Sequence, residues 1–366
     1  MRHIRILATL ISGLLAGAGP ALADDDDDLP DWLWQQQTEH PANLVTVPDI
    51  TGRPRTIGFV DIDGYAVTEG DIVIGSPTDA TSGKIRLPGV FPGAERLAVP
   101  PARIAVPPPE APAATSTRQA AGTTPKVTAP PAGSAASPAR PARLAACPGG
   151  PGGTATSQDD TLWPGGKVPY VLAPDLTPAA REAVTLAMQD FHRHTCVRFV
   201  PRTDEAGYLT IVSGTGCYSY VGRLGTGSQE LSLGKGCERK GTAIHELLHA
   251  LGFYHEHSRS DRDSAVTVHL ENVMKGYETQ FHKLSPEQNH LYGLLDYDSV
   301  MLYGQTFFSA NGRDTLLPLV PVPIGQRQGF SRGDLAAVRT LYRCPPADPP
   351  PAPAPAPGGG GTSVPS

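Results

Sequence analysis

From Gly241 to Glu256 the chain reads Gly-Thr-Ala-Ile-His-Glu-Leu-Leu-His-Ala-Leu-Gly-Phe-Tyr-His-Glu. Imidazoles stand at His245, His249 and His255, with a carboxylate at Glu246. Across residues 242–251, Ile244, Leu247, Leu248 and Leu251 recur at i, i+3, i+4 and i+7, which predicts a helix with a core-facing stripe. His245 and His249 then lie one turn apart and point the same way. Gly252 permits the left-handed turn that ends a helix, so the chain can reverse and deliver His255 from outside it. Three imidazoles converging from a helix and a turn make an open zinc site whose fourth position is left to water. Glu246 lies next to that position and can take the water's proton.

Elements to hold such a site run from Trp163 to Cys344. Val168 to Leu172 reads as a strand, placed at a sheet edge because Pro169 lacks an N–H. Thr177 caps a helix with Pro178 in its first position, and Ala180, Val184, Ala187 and Phe191 form its apolar stripe. Val197 to Val200, Leu209 to Val212 and Gln229 to Leu233 are further strands before the histidine helix. Ser331 with Asp334 resembles a capping box, and Leu335, Val338 and Tyr342 give the last helix a buried face. The sum is an α+β domain of about 190 residues, an ordinary size for one domain.

The 366 residues carry a net charge of −6, so no basic surface argues for nucleic acid. With 40 Gly and 39 Pro, part of the chain cannot pack a core. Residues 1–23 read as a signal peptide: Arg2, His3 and Arg5, an apolar run from Ile6 to Leu15, and a small-x-small site at Ala21 to Ala23. That run is too short to span a membrane, and no longer one follows. The protein is thus expected to be secreted into an oxidising space. Asp24 to Asp28 reads as a solvated spacer. Short β-like runs at Leu44 to Val47, Ile57 to Ile62 and Asp71 to Ile74 make residues 44–91, within a wider region at 24–99, a small β-rich unit with too little apolar sequence to be stable alone. Residues 100–153 are a Pro/Ala/Gly-rich linker open to proteolysis, and 345–366 a similar tail. Of five cysteines, Cys147 lies in the linker, while Cys196, Cys217, Cys237 and Cys344 allow three pairings between which spacing does not choose.

The spacing H-E-x-x-H-x-x-G-x-x-H is the metzincin signature. Its continuation His257-Ser258-Arg259-Ser260-Asp261-Arg262-Asp263, and Ser299-Val300-Met301-Leu302-Tyr303 downstream, resemble the astacin family of zinc endopeptidases over roughly residues 161–344. Leu302 stands where the family usually has a histidine. The resemblance implies a twisted mixed β-sheet with an active-site helix in the upper half. A mostly irregular lower half then ends in a C-terminal helix. It implies zinc on His245, His249 and His255, Glu246 as general base and later acid, and Met301 as a hydrophobic base beneath the imidazoles. Tyr303 would ligate zinc at rest and hydrogen-bond the oxyanion during reaction. It implies disulfides Cys196–Cys344 and Cys217–Cys237, and a rim strand at Tyr218, Ser219 and Tyr220 that pairs with extended peptide or protein substrates.

Glu256 would contact a mature N-terminus near Gly153 or Thr154, as Trp163 and Gly165-Gly166 resemble family residues soon after that terminus. Glu69-Gly70-Asp71 resembles the propeptide element in which an aspartate fills zinc's open position, although Thr68 replaces the usual phenylalanine. Latency through Asp71 is therefore expected, with a Cys147 thiolate as the rival switch. Arg313 or Arg327 would suit a pocket for an acidic residue after the cut. A monomer is expected. The alternative reading is a catalytically silent binding module of the same fold.

Overall fold

The computed structural model describes residues 43–91 and 152–346. The signal peptide, the Asp24–Asp28 run, Cys147 and nearly all of the linker and tail lie outside these residues.

The first segment holds β1 (Asn43–Pro48), β2 (Pro54–Ile62), β3 (Tyr65–Thr68), β4 (Ile72–Gly75) and a short helix α1 (Pro77–Thr81). The second holds β5 (Thr154–Thr156), β6 (Lys167–Leu172), α2 (Pro178–His194), β7 (Arg198–Pro201), β8 (Gly207–Val212), β9 (Cys217–Tyr220) and β10 (Gly227–Leu233). There follow α3 (Lys240–Ala250), the three-residue strands β11 (Val266–Val268), β12 (Asn289–Leu291) and β13 (Leu316–Pro318), and α4 (Arg332–Leu341). Four short 3-10 turns lie between Glu256 and Phe281, and the rest of the stretch between α3 and α4 is largely irregular.

One mixed sheet of nine strands, in the order β1-β2-β3-β4-β9-β10-β8-β6-β7, spans both segments. The first four strands form an antiparallel meander. β4 then joins β9 in parallel, with Ile72 opposite Ser219 and Val73 opposite Tyr220. The β-rich region has little apolar sequence of its own, and it resolves that shortage by sharing a core. Ile57, Phe59, Ile72 and Ile74 cluster with Val221, Tyr254 and Leu284 of the second segment. Polar contacts extend the junction. Gln288 Nε2 donates to Asp49 Oδ2 (2.8 Å), Gln280 Nε2 to the Gly58 carbonyl (3.2 Å), and Thr215 N to Asp63 Oδ2 (2.7 Å).

β6 is interior, not the edge strand expected from Pro169. It pairs with β7 along residues 167–170 and with β8 along residues 170–172. Pro169 therefore sits where only one neighbour has begun to pair, and its missing N–H leaves the β8 ladder intact.

The helices are placed by their apolar faces. Thr177 caps α2 by accepting from Ala180 N, and Ala180, Val184, Ala187 and Phe191 are fully buried. They share one cluster with Ile244, Leu247, Leu248 and Leu251 at α3, and with Ala337, Val338 and Leu341 of α4. Tyr342 packs against the same cluster as expected, whereas Leu335 is only half-buried and its expected place is taken by Ala337 and Leu341. Two disulfides fasten the domain: Cys196–Cys344 (Cα–Cα 5.2 Å) ties α4's end to the start of β7, and Cys217–Cys237 (5.7 Å) ties β9 to the loop before α3. No helix among the described residues is long and apolar enough to cross a membrane.

Candidate metal centre

α3 is buried on all sides from Gly241 to Ala250. Its apolar stripe faces the core, and its imidazole face lies beneath the first segment. Gly241 is required by close approach, since a Cβ there would meet the Arg327 carbonyl at 1.7 Å. After α3, Gly252 takes φ +105°, a left-handed conformation that favours glycine. The chain reverses there, and His255 returns to face His245 and His249.

Each histidine has its Nδ1 against an acceptor. His245 Nδ1 lies 2.8 Å from the Val300 carbonyl and His249 Nδ1 2.8 Å from the Phe253 carbonyl. His255 Nδ1 lies 3.0 Å from Glu69 Oε2. Nδ1 must be the donor in all three, so each Nε2 keeps its lone pair and points inward. There they meet Asp71. Its carboxylate lies 3.0 Å from His245 Nε2, 3.4 Å from His249 Nε2 and 3.1 Å from His255 Nε2.

The donor set fits a zinc ion. One ligand atom from each of Asp71, His245, His249 and His255 falls within 4.8 Å of the others. Three imidazole nitrogens and one carboxylate oxygen are a four-coordinate zinc set. His249 Nε2 and Asp71 Oδ1 are buried with no hydrogen-bond partner, as metal ligands would be. The imidazoles feel different fields. Burial alone would lower the His255 pKa, but the Asp71 and Glu69 carboxylates overcome it and push it up to about 9. His245 is instead pushed down to about 3, by burial first and then by the Arg327 charge.

Glu246, beside the centre, is fully buried with Oε2 unpartnered. Burial and then the Asp71 charge raise its pKa well above the carboxylate range, against the pull of Arg327. Tyr303 donates its hydroxyl to the Glu69 carbonyl at 2.5 Å. Its ring lies on His257 (centroids 3.7 Å) and near His255 (4.8 Å). Met301 is buried in the cluster that includes α3. The rim residues Tyr218, Ser219 and Tyr220 form β9 and are buried, because β4 covers their edge and Ser219 N donates to the Asp71 carbonyl at 2.9 Å.

Glu256 sits away from the metal. Its Oε1 accepts from Asp296 N (3.0 Å) and Arg259 Nη1 (3.3 Å), while buried Oε2 has no partner. Burial, against the Arg259 charge, pushes its pKa up to about 8. Arg259 Nη1 also donates to the Gly153 carbonyl at 2.8 Å, and residues 152–156 are buried. Arg327 is at the centre, donating to the Leu302 carbonyl at 3.0 Å, whereas Arg313 is exposed on the surface.

Glu69, His257 and Ser258 stood in the matched motifs with no role assigned to their side chains. The role of Glu69 emerges only from its proximity to His255, 186 positions away.

A helix-borne histidine pair, a third histidine after a glycine turn and a mixed sheet above them define a zinc-dependent protease domain of the metzincin type. The family model for Astacin, a peptidase family, matches residues 155–343, just over half of the chain. The chain belongs to that family. It is 44% identical over 199 residues to human Tolloid-like protein 1, covering 52% of this chain and 20% of that protein. It is 43% identical over 199 residues to Xenopus laevis bone morphogenetic protein 1, covering 52% and 28%. This chain thus covers under a third of either relative's own length. Among solved structures, high choriolytic enzyme 1, a hatching enzyme zinc-protease from Oryzias latipes, is 42% identical. That match covers 51% of this chain and 93% of the other, at a TM-score of 0.47.

Proposed function

We propose that this protein is a secreted zinc endopeptidase made as a latent precursor, with residues 24–99 as its pro-segment and 154–344 as its catalytic domain. The observation that carries the proposal is the Asp71 carboxylate, seated 3.0–3.4 Å from all three imidazole Nε2 atoms. It holds the position that water needs for reaction. β4 likewise covers β9, the edge against which an extended substrate would add as a strand.

When bound, zinc acts as a Lewis acid and lowers the pKa of water from about 16 towards about 7. Glu246 accepts a proton from the attacking water and returns it to the leaving amine. Tyr303, freed from the Glu69 carbonyl, donates to the oxyanion that develops on the scissile carbonyl. Arg327 gives the site a half-buried cation suited to an acidic side chain after the cut. Glu256 Oε2 is the acceptor for a newly cut N-terminus, and Arg259 already holds Gly153 nearby. Asp71 supplies the lock, and the rival Cys147 lies outside the described residues.

Zinc-loaded full-length chain should cleave an unfolded protein slowly, and faster once the pro-segment is removed. Asp71→Asn should raise activity before any cut. Glu246→Gln should lower matured activity about 10²- to 10⁴-fold while leaving zinc bound. If matured, zinc-loaded protein cleaves nothing and Glu246→Gln behaves identically, the silent binding module is the correct reading.

A further inference from the structure

The three zinc ligands are not oriented in the same way. His245 and His249 are held by carbonyls of their own domain, Val300 and Phe253. His255 is held by a side chain of the other segment: its Nδ1 lies 3.0 Å from Glu69 Oε2. The same oxygen accepts from Ser258 Oγ at 2.9 Å. Glu69 is 5% exposed, so this carboxylate has little water to lean on and its stability depends on these partners.

The backbone points the same way. Glu69 takes φ +46°, a left-handed conformation that a residue with a Cβ adopts at a cost. This turn between β3 and β4 lets one short stretch reach three targets. The Glu69 side chain reaches His255, its carbonyl accepts from Tyr303, and Asp71 two residues on faces the imidazole nitrogens. Glycine would relieve the strain at position 69 and would lose the carboxylate.

Charge balance gives the arrangement a purpose. A divalent cation among three neutral imidazoles carries two positive charges into a buried site. Asp71 supplies negative charge from the inside of the ligand ring, and Glu69 supplies more from behind the imidazole of His255. An outer carboxylate on a ligating histidine fixes its tautomer and raises its basicity, which strengthens the metal bond.

We propose that Glu69 is an outer-sphere positioning residue for the zinc ligand His255, so that the latent chain holds its metal through two carboxylates of the pro-segment. This rests on the latent-enzyme reading above. The consequence is that maturation removes not only the group that blocks the metal but also the acceptor that orients its third ligand. Ser258 Oγ loses the same carboxylate acceptor at that moment. The latent form is accordingly the one that binds zinc more tightly and releases it more slowly.

The test uses the uncut full-length chain on a Glu246→Gln background, which prevents self-cleavage. Zinc affinity and release rate are read by competition with a chromogenic chelator. Glu69→Gln keeps the shape, the backbone carbonyl and Asp71 but removes the charge. Glu69→Asp keeps the charge but draws it back by one carbon–carbon bond, and it serves if Glu69→Gln fails to fold. Both should bind zinc about 10- to 100-fold more weakly than the parent and release it correspondingly faster. Asp63→Asn is the control for loosened docking, because Asp63 anchors the same segment through Thr215 and not through the metal site. It should stay within about twofold of the parent, well short of an outer-sphere loss. The inference is overturned if the Glu69 variants keep the parent's affinity, or if Asp63→Asn loses zinc equally. If the parent chain itself binds no zinc, the zinc reading fails as well, so the two failures are told apart.

Discussion

Tyr303 occupies two environments at once. Its hydroxyl is committed to the Glu69 carbonyl, while its ring is fixed by His257 and by the edge of Phe281 (centroids 5.9 Å). His257 and Phe281 belong to the second segment, as Tyr303 does, so on the latent-precursor proposal these ring contacts outlast removal of the first segment. Tyr303→Phe keeps those contacts and loses only the donor. In protein matured by proteolysis, kcat should fall about 10²- to 10³-fold, about 3 to 4 kcal/mol, as for other single oxyanion donors. KM should change little, because the lost bond forms only as charge develops. Steady-state kinetics on one peptide would check both, and an unchanged kcat would remove Tyr303 from the reaction.

Among the elements, α4 is more than a closing helix. Ser331 caps it by accepting from Asp334 N at 2.8 Å, and the Asp334 carboxylate accepts from Ser331 N in return. The same carboxylate accepts from Ser299 Oγ (2.6 Å) and Val300 N (3.0 Å). The helix cap therefore fixes the turn whose Val300 carbonyl orients His245. Ser331→Ala removes the cap hydroxyl and its bond to Asp296 Oδ2. It should destabilise the domain by about 1 to 2 kcal/mol, read as a lower denaturant midpoint at constant slope. The capping pattern was legible from Ser331 and Asp334 alone. Its link to the metal site was not, because Val300 and His245 lie 55 positions apart and meet only through packing.

For the whole molecule, the Cys196–Cys344 disulfide closes the longest loop, 148 residues, around both α3 and the metal site. In the chain-entropy model, replacing both cysteines by alanine should cost on the order of 4 to 5 kcal/mol of stability. Thermal unfolding followed by circular dichroism would register it as a markedly lower midpoint, and a shift under a few degrees would count against that account. The sequence by itself determined the chemistry: His245, Glu246, His249 and His255 sit at spacings that only a helix and a glycine turn can turn into one site. It also determined the caps of α2 and α4 and the apolar stripes of α2 and α3, because those depend on neighbours within a few residues. Tertiary structure decided what covers the site. Pro169 suggested an edge strand where β6 is interior, and the apolar-poor first segment gave no sign that it would complete the sheet of the second. Asp71 was expected at the metal from its resemblance to a known motif, but the Glu69 contact with His255, 186 positions away, was not. That contact arises from shared burial and strand pairing between distant segments, which no local pattern encodes.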